Sequence, residues 1–272
     1  MVRAFVFVVF LILSAHAVSL EGKIESFIGE KSYKKQKNLI GILFKDKNLF
    51  LNEDKSVDDI KVLEKLKSNG LLKLFYDRPQ KLHISFSTKS DALIFMRVIN
   101  ESLSSMGYNY FLTQRVVKNE DGFIWDIIIS TEHIVDPLIL SKSLQARGCF
   151  LESIDRSAKN RWSYKINSDS IRVAAIKGEA NKTIKLKKPI KPYWIDVTSM
   201  RSISFASKIA DRWYPSIVFF DEKLHIVRDY QLDSPTNRLK LKIPEDTKYI
   251  KIADMYTLDN IKRGISIYLK GR

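Results

Sequence analysis

The sequence predicts an α+β chain: a helix–strand–strand unit used in tandem, then an all-β domain. Three observations carry that expectation. First, Gly29, Gly70, Gly107 and Gly148 each follow an apolar, helix-like stretch, and every second one is 78 residues further on. Second, the register holds without gaps around that period. Val57 falls on Val135, Asp58 on Asp136, Leu66 on Leu144, Ile84 on Trp162 and Phe86 on Tyr164. A fixed period marks one supersecondary unit used again. Third, the helical signal stops near Asn167-Ser168-Asp169-Ser170, a polar joint, and strict alternation takes over.

The first unit begins with a short helix over Leu20–Ile28, followed by a basic stretch. Two apolar runs, Leu39–Phe44 and Leu49–Leu51, then read as strands around a Lys45–Asn48 turn. The second unit opens at Ser56, with an acid three residues later in the manner of a capping box. Ile60, Leu63 and Leu66 give its helical spacing, and Asn69-Gly70 its stop. Strands over Leu71–Tyr76 and Lys81–Ser87 flank Asp77-Arg78-Pro79-Gln80. The third unit has the clearest helix, with Ser90 as cap and an apolar stripe from Leu93 to Met106. A hairpin turns at Asn119–Gly122. The fourth starts at Asp136-Pro137, a cap followed by proline at the first helical position. From Ile171 nine short strands follow, among them Leu239–Ile243 and Tyr249–Ile252, where apolar residues alternate with lysines.

Residues 1–17 read as a secretory leader. Arg3 is the positive start, Ala4–Leu13 the apolar run, and Ala15-His16-Ala17 a small-residue cleavage site. The run is too short to span a bilayer comfortably. The boundaries that follow are 18–88 for the first module, 89–168 for the second and 170–272 for the β domain. Lys and Arg number 46 against 31 Asp and Glu, a net charge of +15. Such a surface favours anionic partners, and export argues against nucleic acid. The Lys/Ile/Asn-rich composition points to a Gram-negative periplasm. The single cysteine, Cys149, can form no intrachain disulfide, so burial must hold the fold.

Helix–strand–strand in tandem is close to the βαββαβ pattern of ferredoxin-like folds, and two such units can share one antiparallel sheet with their helices on one face. In size and element mix the tandem modules resemble periplasmic ring-building and POTRA-type domains. They lack the two successive helices of a POTRA unit. The nine strands suit a β-sandwich or jelly roll. The stretch from Ile243-Pro244 to Ile252 resembles late strands of jelly-roll modules in exported bacterial proteins, some of which bind carbohydrate.

Catalytic signatures are not visible. His83, His133 and His225 lie in different elements without metal-ligand spacing. No glycine-rich phosphate loop, nucleophile elbow or Cys–His pairing occurs, so neither metal nor cofactor is expected. Asp196, Asp211, Asp221, Asp229 and Asp254 sit mostly at strand ends, where aspartate makes turns. The aromatic–basic clusters stand out instead: Tyr193-Trp194 after Lys187, Lys188 and Lys191, and Arg212-Trp213-Tyr214 between strands. An exposed ring there would suit sugar stacking or a protein hot spot, and a buried one would fill the core. The expectation is a non-enzymatic periplasmic scaffold, in its sharpest form part of a trans-envelope machine such as a flagellar motor or secretion apparatus. An envelope protein would be its partner. The alternatives are a protein binding peptidoglycan or acidic glycan, and an unrecognised periplasmic hydrolase.

Overall fold

The computed structural model describes residues 19–272, and the leader read at 1–17 lies outside them. The described residues form a mixed α/β chain with six α-helices and 14 strands in three sheets. In chain order the first part contains α1 (Leu20–Ile28), α2 (Glu30–Lys35), α3 (Lys37–Leu43), α4 (Asp59–Ser68), β1 (Phe75–Thr88), α5 (Ala92–Ser105), β2 (Leu112–Asn119), β3 (Gly122–His133), α6 (Pro137–Gln145), β4 (Phe150–Ala158) and β5 (Arg161–Asn167).

The 78-residue period reappears as a strand register. β1 and β5 lie side by side and parallel, with Ile84 beside Trp162 and Phe86 beside Tyr164. The helix ends repeat as well. Gly70 N–H donates to Lys67 O and Leu71 N–H to Leu66 O; Gly148 N–H donates to Gln145 O and Cys149 N–H to Leu144 O. Both glycines have positive φ, 70° and 72°, as this helix-stop geometry requires. Asp58 and Asp136 cap α4 and α6 through their carboxylates.

The sheet runs β2-β3-β1-β5-β4. Because the side-chain period of a strand is two, one face collects Leu82, Ile84, Phe86, Trp125, Ile127, Trp162 and Tyr164, all buried. The helices supply the other half of that core: Ile24 and Phe27, Leu63 and Leu66, Phe95 and Ile99, and Leu140 and Leu144. The opposite face carries His83, Ser85, Ser87, Asp126 and Ser163, and among the described residues no helix packs on it. The β1–β5 pair makes the sheet mixed rather than antiparallel, contrary to the sequence expectation.

Other expectations change too. Leu39–Leu43 is helical and forms most of α3, with Phe44 as its C-cap, and Lys47–Phe50 is a 3-10 turn. A short apolar run does not reveal its period, and here Ile40 and Phe44, four residues apart, are buried in the core with Tyr33 and Leu43 packed against it. β1 runs straight through Asp77-Arg78-Pro79-Gln80, where its register to β3 shifts instead of turning. Ser56 is not the cap of α4: it bonds Asp54 in the preceding turn, and Asp58 does the capping. Asp91 rather than Ser90 precedes α5.

A buried ionic knot joins three elements. Lys23 Nζ on α1 lies 3.0 Å from Asp59 Oδ2 on α4 and 2.8 Å from both Ile154 O and Asp155 Oδ1 on β4. Asp59 Oδ2 also accepts from Ile154 N–H at 2.7 Å. Burial pushes the Asp59 carboxyl above its ordinary value despite the ammonium beside it.

The second part holds β6 (Ile176–Lys177), β7 (Lys182–Leu186), β8 (Tyr193–Asp196), β9 (Met200–Ser207), β10 (Pro215–Phe220), β11 (Ile226–Gln231), β12 (Arg238–Lys242), β13 (Tyr249–Asp254) and β14 (Ile265–Gly271). Each of the nine strands expected from alternation overlaps one of these. They form two sheets, β11-β10-β13-β8-β6 and β12-β9-β14-β7. Both sheets contribute to one core, with Ile195, Ile217, Phe219 and Ile252 from the first and Ile203, Phe205, Leu241 and Ile267 from the second.

Two stability measurements check this account. A Cβ on Gly148 would stand 2.0 Å from Ser170 O, whereas one on Gly70 would meet nothing within 4 Å. Gly70→Ala should cost about 1 kcal/mol in urea unfolding, from φ alone. Gly148→Ala should cost roughly 2 kcal/mol more, because backbone must move. Lys23→Met should cost about 3 kcal/mol at neutral pH by leaving Asp59 buried and unpaired. A carboxyl whose pKa is raised in the folded state opposes folding once ionised. The loss in that variant should therefore shrink as pH falls into the carboxylate range.

Candidate functional site

The titratable side chains of the sequence expectation do not converge. His83 lies on the open face of the first sheet near Gln114, His133 ends β3, and His225 pairs with Asp221 in its own turn at 2.9 Å. No group of three or more potential metal ligands occurs among the described residues. The carboxylates organise loops. Asp196 accepts from Thr198 N–H, Asp221 from Lys223 and His225 N–H, and Asp229 from Gln231. Burial pushes the Cys149 thiol up to about 11. A cleft of about 230 Å³ lies at one end of the first sheet beside Thr88, Gly122 and Ser168, and a more open one of about 720 Å³ lies beside Asp91, Arg172 and Lys223 at the joint.

The two tryptophans of the aromatic–basic clusters are both inside. Trp213 is fully buried, tilted against Phe205 at 5.5 Å, and its Nε1–H donates to Ala253 O at 2.9 Å. Trp194 points out of the opposite face of its sheet from Ile195, but it is covered. It stacks on Phe220 at 5.0 Å, and the Arg97 guanidinium of α5 lies 3.6 Å from its ring centroid. Ile94, Val173, Leu224 and Tyr249 close the same cluster. Trp194 is thus the centre of the joint between the two parts, and neither indole is a free stacking platform.

The remaining residues of those clusters reach the surface together. β10 and β8 both run antiparallel to β13, with Pro215 beside Asp254 and Tyr193 beside Ile252. β7 and β9 both run antiparallel to β14, with Leu186 and Ser207 each beside Ile265. The loops 187–192, 208–214, 232–237 and 255–264 therefore cross between the sheets at one end. The joint lies on the outer face and toward the other end, where Lys223 approaches Asp91 at 3.5 Å.

Buried residues hold these loops. Pro189 is buried, and Tyr193 donates its hydroxyl hydrogen to Lys187 O. Burial, with Asp211 nearby, pushes the Tyr193 phenol up to about 12. Trp213 pins the second loop and leaves Arg212 and Tyr214 on either side, with Arg212 Nη2 donating to Tyr214 Oη at 3.2 Å. Asp211 is paired with Arg263 at 2.7 Å. Asp254 accepts from Tyr214, Tyr256 and Thr257 N–H and from Asn260. The rings of Tyr214 and Tyr256 meet edge to face at 4.9 Å.

On this frame Lys187, Lys188, Lys191 and Arg212 are exposed. So are two residues not singled out by their chemistry: Ile190 at 98% and Ile209 at 90%, with Tyr256 at 67%. A signal for Ile190 was present, since an isoleucine between Pro189 and Pro192 in a run of lysines cannot sit in a strand ladder. Ile209, flanked by Lys208 and Ala210, carried none.

Among the described residues no helix is long and apolar enough to cross a membrane. Compared with protein-family models, curated proteins and solved structures, the chain matches none of them.

The joint makes its own prediction. Arg97→Ala removes a desolvated cation from the Trp194 face, at a cost of about 2 kcal/mol. Amide hydrogen exchange should quicken around residues 171–175 and 194, while the Ile84 and Ile267 strands keep their protection. Arg97→Lys should restore only part, because an ammonium does not stack as a plane.

Proposed function

We propose that this is an exported, non-enzymatic interaction protein of the bacterial cell envelope that docks through the loop end of its second part. The observation that carries the reading is the set of exposed basic residues and apolar tips presented by three of these loops, 187–192, 208–214 and 255–264, whose bases are locked by Pro189, Trp213, Asp211 and Asp254. Binding residues on loops that a rigid scaffold positions are a recurrent solution. The leader-like sequence at 1–17 supports export to the periplasm.

On this reading the first part is a pair of diverged ferredoxin-like modules. The first copy has exchanged its hairpin for α2, α3 and a 3-10 turn, and the second part is a β-sandwich of jelly-roll type. The open sheet face and the loop end would be two separate attachment surfaces, as suits a scaffold in a trans-envelope machine such as a flagellar motor or secretion apparatus. The edge-to-face Tyr214–Tyr256 pair beside Arg212 favours a second reading, in which the same end holds peptidoglycan or an acidic glycan.

The test is retention of the protein by washed envelopes from its own cells. Lys187→Glu, Lys188→Glu and Arg212→Glu combined should lower retention at least roughly tenfold, since each basic residue at an anionic surface contributes about 1 kcal/mol. Unchanged retention would refute docking by this end. Mass spectrometry should find an N-terminus near Val18, and an intact Met1 in the cytosol would refute export.

A further inference from the structure

We infer that the surface met by the loop end is an anionic lipid bilayer, with Ile190 and Ile209 entering the headgroup–acyl boundary. The inference rests on the docking reading above and names its partner.

Two side chains decide the chemistry. Ile190 and Ile209 stand on different loops, 98% and 90% exposed, at the same end of the molecule. Scattered exposed isoleucines are ordinary on a protein surface. Two at loop tips, ringed by cations and almost without protein contact, form a different arrangement. A sugar needs a flat ring to stack on, and an isoleucine offers none. A protein hot spot needs a well-packed, desolvated pocket, and two separate tips do not make one. A bilayer accepts single aliphatic side chains anywhere along its plane, and interfacial elements bury their apolar residues about 5–10 Å deep. Tyr256, with an apolar ring and a polar tip, suits the headgroup level.

The charges agree. Lys187, Lys188 and Lys191 surround Ile190, and Lys208 and Arg212 flank Ile209. Long basic side chains lay their stems along the apolar boundary and hold their charges at the phosphates. The nearby carboxylates are mostly engaged: Asp211 holds Arg263, and Asp254 accepts four hydrogen bonds. Asp233 and Asp259 are the exposed acids of these loops. The basic groups outnumber them, so an anionic surface attracts this end. The locked loop bases mean that little ordering is required on contact.

Sedimentation of residues 18–272 with vesicles tests the inference. The chain should sediment with phosphatidylcholine vesicles containing phosphatidylglycerol, and much less with phosphatidylcholine alone. Ile190→Ser with Ile209→Ser should weaken binding at least roughly tenfold at unchanged net charge, from the lost apolar burial. The exposure of both residues leaves folding untouched, which circular dichroism checks. Lys187→Glu with Lys188→Glu should weaken it more strongly and flatten its dependence on salt, because fewer charges are left for salt to screen. Lys31→Glu with Lys35→Glu, on exposed positions of the first part, should change binding far less. Equal losses from both charge pairs, or full binding by the double serine variant, would overturn insertion. Loop-dependent retention on peptidoglycan sacculi with no vesicle binding would overturn the lipid assignment while leaving docking by this end intact. Loop variants that match the parent on envelopes, sacculi and vesicles alike would overturn both.

Discussion

The Arg97 guanidinium lies over the indole of Trp194, 3.6 Å from its centroid, and bonds Glu101 at 2.7 Å. That arrangement depends on α5 being used on two faces. Phe95, Val98, Ile99 and Leu103 fill the core of the first part. Ile94, one residue before Phe95, meets Val173, Leu224 and Tyr249 of the joint instead. Burying a guanidinium is costly unless it is paired and stacked. Here Glu101, itself 3.5 Å from Arg147, and the indole face supply both. The helix that completes one core therefore fixes where the second part sits.

The 78-residue period was legible because it lies in the spacing. Ile84 and Trp162, and Phe86 and Tyr164, are neighbours across the β1–β5 ladder, so the period read along the chain is also a distance in space. Helix stops were legible for a similar reason. A positive φ demands a particular residue type, and Gly70 and Gly148 announce it. What failed was the stretch between Gly29 and Asp58. Its apolar runs are short enough to suit either period. Nothing local said that these runs would be helical, with Ile40 and Phe44 buried and Tyr33 packed against them. Tertiary packing chose between two locally acceptable structures.

The candidate surface was legible only in outline. Lysine runs and aromatic clusters marked loops that lie together at one end of the second part, but composition does not say which way a ring points. Trp213 is bracketed by the exposed Arg212 and the half-buried Tyr214, and the alternation of a strand entering the core turned it inward. Trp194 could not have been placed from its own neighbours, because what covers it comes from far along the chain: Arg97 and Ile94 of α5, and Phe220, Leu224 and Tyr249. The isoleucine tips were the least visible, since a single apolar residue in a loop carries no pattern.

The geometry of the second part has a mechanical consequence. Its strands run between the loop end and the end nearer the joint, so a pull between those ends loads many ladder hydrogen bonds together, along the strands. The joint has no such ladder. It is one small apolar cluster, a stacked cation and a few polar contacts. Under tension the joint would give way before either core, and it would do so as a unit. Trp194 would pass from shelter into water, which makes its indole a built-in strain gauge.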